Sequence, residues 1–68
     1  MMDTQAIAER IKTARTRRGW TQAQLAARCG MAQPRISEAE NARGPLLVGT
    51  LDRIAEGLGV KTVYFFRT

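Results

Sequence analysis

Charge is the one chemical resource that this sequence concentrates. Arg10, Lys12, Arg15, Arg17, Arg18, Arg28 and Arg35 share a window that contains no acid, whereas the rest of the 68 residues holds four bases and six acids. Cationic side chains gathered on one part of a small chain favour a polyanionic partner. A solvated basic face is the plain alternative, and charge alone does not choose between the two. Other chemistries are poorly supplied. There is no histidine, so the commonest general base and the commonest metal ligand are both missing. The one cysteine, Cys29, can close neither an internal disulfide nor a metal cluster. The acids are scattered and no phosphate-binding loop is present, so the expectation is no enzyme, no metal and no cofactor.

A chain of 68 residues makes one small domain. It buries only about 60% of the surface its unfolded form exposes, which leaves a thin margin of stability and little room for a large cleft. No apolar run approaches the ~20 residues that span a bilayer. The opening Met-Met-Asp-Thr-Gln lacks the basic start and apolar core of a signal peptide. The expected compartment is the cytoplasm, with the basic charge pointing to the nucleoid.

Hydrophobic spacing and punctuation predict four short helices. The first, over 4–18, aligns Ile7, Ile11 and Ala14, with Asp3 or Thr4 as its cap and Gly19 as its stop. The second opens on Thr21-Gln22-Ala23-Gln24, which has the spacing of a capping box, and Trp20 with Leu25 fits a hydrophobic staple. Leu25, Ala26 and Cys29 form its apolar face, and Gly30 stops it. The third runs from 32 or 33 to 40 or 41, with Pro34 in the first turn and Ile36 and Ala39 inward. The fourth covers 48–58, with Leu51, Ile54, Ala55 and Leu58 inward and Gly59 beyond. The tail, 60–67, is β-branched and aromatic and reads as a strand.

A short capped helix, a glycine turn and a second short helix outline a helix-turn-helix over about 21–41. The string Arg18-Gly19-Trp20-Thr21-Gln22-Ala23-Gln24-Leu25-Ala26, then Cys29-Gly30-Met31, then Ile36-Ser37 and Glu40 resembles the lambda-repressor-like (Cro/C1-type) family. Thr50-Leu51, Ile54-Ala55 and Leu58-Gly59-Val60 extend the match, which covers about residues 5–60. Four blocks in register make the resemblance specific where one motif would not. It implies a compact all-α domain of four or five helices, to which the tail reading adds a possible C-terminal strand. It also implies double-stranded DNA as partner, with the third helix in the major groove.

The resemblance assigns roles residue by residue. Gln33, Pro34, Ser37, Glu38 and Asn41 fall on the outward side of the recognition helix and Arg35 flanks it; Gln33, Pro34, Arg35, Ser37 and Glu38 become base readers, Gln33 toward adenine and Glu38 toward cytosine. Gln22 and Thr21, at the start of the second helix, become phosphate contacts, Thr21 being primarily a cap. Arg17, Arg18, Arg28, Asn41 and Arg43 are further phosphate candidates. Arg15 and Glu40, twenty-five residues apart, match the family's structural ion pair. Leu25, Met31 and Ile36 fill the seam between the two helices, and Cys29 becomes a buried, inert thiol.

Five positions depart from the family pattern. Ala42 stands where glycine is usual, which passes the left-handed role to Asn41 or Gly44. Ala32 replaces the usual capping Ser or Thr. Pro34 replaces a polar reader, and Leu46 and Leu47 add apolar surface. The functional expectation is a transcriptional repressor that binds a two-fold operator as a homodimer. The alternative is a DNA-binding antitoxin with a toxin partner, and an RNA binder is a weaker third reading. The dimer segment is placed at 59–68: Val60, Val63, Tyr64, Phe65 and Phe66, with Leu47 and Leu58, pair with a second copy through antiparallel strands. A fifth helix, a strand offered to a toxin and a disordered end compete with that reading.

Overall fold

Asp3 has extended backbone, and its carboxylate accepts the Gln5 and Ala6 N–H groups at 3.1 and 3.2 Å, which starts helix α1, Thr4–Arg17. The structure is a computed structural model and describes residues 3–66. Helix α2, Gln22–Cys29, opens with the capping box: Gln24 N–H donates to Thr21 Oγ1 at 3.1 Å, and Thr21 N–H donates to Gln24 Oε1 at 2.8 Å. Two turns of helix cannot hold themselves, so these bonds and the buried face of Leu25, Ala26 and Cys29 do. Gly30 ends α2 at φ 66°, a left-handed conformation that costs glycine little. Its turn lets Met31 N–H reach Ala26 O at 2.9 Å.

Helix α3, Gln33–Glu40, starts from Ala32 without a side-chain cap, and Pro34 in its first turn gives up an N–H that has no helical partner. It ends in a Schellman turn. Arg43 N–H reaches Glu38 O at 3.0 Å and Ala42 N–H reaches Ala39 O at 3.4 Å. The residue that bends back to allow this is Ala42 itself, at φ 53°. Asn41 stays at negative φ, so the left-handed position falls on a residue with a Cβ. Gly44 adds a second positive φ. Helix α4, Val48–Leu58, then carries Leu51, Ile54, Ala55 and Leu58 inward.

Every regular element among the described residues is helical, as the spacing predicts, with one correction. The tail is not a strand but a five-residue 3₁₀ helix, Thr62–Phe66, folded back onto α1 and α4. Arg10 holds it there: its guanidinium donates to Tyr64 O at 3.4 Å and lies 5.9 Å from the Tyr64 ring centroid. Phe65 is enclosed with Ile7, Ile11, Leu25, Ile36, Leu51 and Ile54 at the centre of the core. Burial of one large ring outweighs a local preference for extended backbone. Leu58 also lies within the chain's own core, and Val60 and Tyr64 pack half-buried against it. Arg67, included in the expected strand, lies outside the described residues, as does Thr68 of the expected dimer segment. Leu46 is buried too, so of the leucine pair only Leu47 adds apolar surface.

Candidate nucleic-acid interface

Helix α2 packs on α3, and the side chains of their first residues meet. Gln33 opens α3 and Gln22 opens α2, and Gln33 Nε2 donates to Gln22 Oε1 at 2.7 Å. Gln22 in turn donates from Nε2 to Glu40 Oε1 at 3.2 Å. Glu40 closes α3 on its buried side and takes two bonds from Arg15 of α1, Nε to Oε2 at 2.6 Å and a terminal nitrogen to Oε1 at 2.9 Å. The remaining arm of Arg15 donates to Trp20 O at 2.6 Å. A continuous polar chain thus runs from Gln33 on the surface through Gln22 and Glu40 to Arg15, and it fixes α1, α2 and α3 to one another. Side-chain exposure is 12% for Arg15 and 2% for Glu40, so the pair is shielded from solvent and both its charges are matched.

The chemistry such a corner offers is hydrogen bonding to a grooved polyanion. Gln33 presents an amide whose orientation is set by Gln22. The free N–H groups in the first turn of α2, with the helix dipole behind them, favour an anion beside Gln22. Pro34, Arg35 and Glu38 are exposed along α3, and Ser37 is half-buried beside them. Arg17 and Arg43 are exposed at the ends of α1 and of the α3 turn.

Several candidates have other employment. Thr21 is exposed but spends its hydroxyl on the Gln24 N–H. Asn41 donates from Nδ2 to Ser37 O at 2.8 Å, which satisfies a terminal carbonyl of α3. Arg18 donates to Ala14 O at 2.6 Å and lies 5.7 Å from the Trp20 ring centroid, and Arg28 lies over the same ring at 4.0 Å. Arg28 follows Gln22 by six residues, which turns it about 120° around α2 and sets it ~9 Å along the axis. The structure therefore gathers Gln22, Gln33, Glu40 and Arg15, and turns Arg28 away from that corner.

Two features escape a reading of the sequence. The Gln22–Gln33 bond joins two residues that sequence spacing treats separately. Trp20 is a platform for two cations as well as part of the apolar seam, for which the only sequence signal is an arginine two residues before it and another eight after. Cys29 is buried, its Sγ 3.9 Å from Ile54 O. Burial pushes the thiol above its usual pKa against the opposing pull of Arg53, which keeps it protonated and a poor nucleophile. Among the described residues no group of acids, cysteine or histidine is placed to hold a metal ion, and no helix is long and apolar enough to cross a membrane.

A family model described as helix-turn-helix matches residues 11–65. Among solved structures, a hypothetical transcription factor, NHTF from Neisseria, superposes with a TM-score of 0.88 at 25% identity, covering 94% of this chain and 74% of that one. The restriction-modification controller protein C.Esp1396I superposes with a TM-score of 0.84 at 32% identity, covering 93% of this chain and 81% of the controller. A mutant of that controller gives 0.84 at 31% identity, with 97% and 86% covered. No curated protein matches the chain. The family match over most of the length, together with an α2–α3 corner of the right construction, places this chain in the Cro/C1-type helix-turn-helix family of DNA-binding transcription regulators.

Proposed function

We propose that the protein is a repressor that reads a two-fold operator as a homodimer, with α3 of each copy in the major groove. The observation that carries this reading is the Gln22–Gln33 bond at 2.7 Å, which holds one amide ready for a base edge at the point where the α2 N-terminus is ready for a phosphate. Gln33 reads adenine, Arg35 guanine or a nearby phosphate, and Glu38 accepts from cytosine. Ser37 and Pro34 supply a hydrogen bond and an apolar contact. Gln22, Arg17 and Arg43 hold the backbone and set the register. The likeness to a transcription factor and to a restriction-modification controller supports a regulator.

One α3 reads only a few base pairs, so useful specificity needs two copies about one helical turn of DNA apart. The surface offered for pairing is apolar: Leu47 and Val48 at the α4 start are 60% and 62% exposed, and Val63 and Phe66 are 53% and 41% exposed. Thr62 Oγ1 donates to Asp52 Oδ1, which sets the 3₁₀ helix against the α4 face that carries Val48 one turn earlier. With Leu58 and Phe65 spent on the core, dimer contacts fall to Leu47, Val48, Val63 and Phe66. The deciding experiment selects bound sequences from a random duplex pool and follows affinity against salt. A two-fold consensus and a steep fall of log K with log salt support the reading. A single unpaired half-site, or a flat salt profile, refutes it.

A further inference from the structure

Trp20 carries two cations, Arg28 at 4.0 Å and Arg18 at 5.7 Å from its ring centroid. A guanidinium over a ring uses its flat face and leaves the N–H donors on its edge for other partners; Arg18 spends one of its donors on Ala14 O. The one ion pair among the described residues is Arg15–Glu40, so neither of these cations has an acidic partner. Beside them opens a shallow groove of about 350 Å³ lined by Trp20, Gln24, Ala27 and Arg28. Its helical wall is the exposed side of α2, opposite the buried side formed by Leu25, Ala26 and Cys29. The groove therefore looks away from the Gln22–Gln33 corner and stays open when α3 is occupied.

We propose that this groove docks an acidic segment of a partner protein. Charge complementarity identifies the occupant. Two cations held on one indole, neither in an ion pair, attract carboxylates, and the guanidinium edge matches a carboxylate in geometry. A small aliphatic side chain between two carboxylates lies on Ala27 and the indole edge. A DNA duplex fits less well, because the groove lies on the side of α2 turned away from the Gln22–Gln33 corner.

Trp20 is the only tryptophan, so its fluorescence reports the groove directly. The probe is a synthetic ten-residue peptide of alternating glutamate and leucine, with a glutamine-for-glutamate version as control. The expected result with the full chain is a saturable change in emission with the acidic peptide alone. Arg28→Gln weakens it about five-fold, the factor an exposed charge pair supplies. A labelled DNA duplex bound by the same chain keeps its anisotropy as the peptide is added. Three results overturn the proposal. One is no saturable change. Another is displacement of the duplex by a peptide indifferent to Arg28→Gln, which puts the peptide on the DNA face. The last is a loss of duplex affinity and a shallower salt slope in Arg28→Gln with peptide binding intact, which assigns the cluster to the DNA backbone.

Discussion

Replacing Arg15 with alanine tests the polar chain at its deepest link. The substitution removes both bonds to Glu40, at 2.6 and 2.9 Å, and the donor to Trp20 O at 2.6 Å. Glu40, with a side chain 2% exposed, keeps one neutral partner, the Gln22 amide at 3.2 Å. A carboxylate so enclosed is poorly hydrated, and stranding one half of a buried pair costs about 3–5 kcal/mol. At roughly 0.05–0.15 kcal/mol per residue, a domain of this size holds only about 3–10 kcal/mol in all. Arg15→Ala therefore consumes a large share of the total, and urea unfolding followed by circular dichroism should show the midpoint collapse. The double variant Arg15→Met with Glu40→Leu removes both charges and should recover most of the loss, because the penalty lies in the unmatched carboxylate. An Arg15→Ala midpoint equal to that of the parent, with weakened DNA binding, would refute the reasoning and make Arg15 a solvated phosphate contact.

Four further substitutions probe packing, backbone and self-association. Ala42→Gly relieves a left-handed alanine at φ 53° and should raise stability by about 1 kcal/mol in the same urea titration, with the Schellman turn unchanged. Phe65→Ala empties the centre of the core and should lower stability by about 3–5 kcal/mol in calorimetry, whereas Phe66→Ser, at an exposed site, should leave monomer stability nearly intact and weaken self-association in sedimentation. Gly57→Ala places a Cβ against the Cys29 Sγ and within 3.2 Å of the Cys29 backbone nitrogen, so the α2–α4 crossing must open; a loss of about 1–3 kcal/mol is expected, and the double variant with Cys29→Ala should restore part of it.

The sequence was most legible where local chemistry and burial agree. Thr21 and Gln24 announce the start of α2 and then form it, because a capping box needs only four consecutive residues. The 48–58 reading of α4 matches its observed bounds, Val48–Leu58, since its apolar face and its glycine stop say the same thing. At the site, the outward residues of α3 and the inward Glu40 follow from one helical wheel. The Gln22–Gln33 bond does not, because it depends on how closely two helix starts approach, and that distance is set by the small side chain of Ala26 and the Gly30 turn acting together.

The tail shows why the remainder stayed hidden. Val60, Val63, Tyr64, Phe65 and Phe66 are each common in strands, and a strand would have exposed them in alternation to a second chain. Local preference in such a segment amounts to about 1 kcal/mol, while enclosing one phenylalanine is worth about 1.5–3 kcal/mol. The four helices leave an open wall between α1 and α4, and a 3₁₀ turn is the short path that delivers Phe65 to it. Closing that wall uses Phe65 and half of Tyr64, so the segment is core on one side and apolar surface on the other. This division has a practical consequence. Truncation after Gly59 would unfold the monomer before it reported on pairing, whereas Val63→Ser or Phe66→Ser changes only the outer side. If either variant sediments as the parent does and binds operator DNA equally well, the outer side of the tail is not where two copies meet.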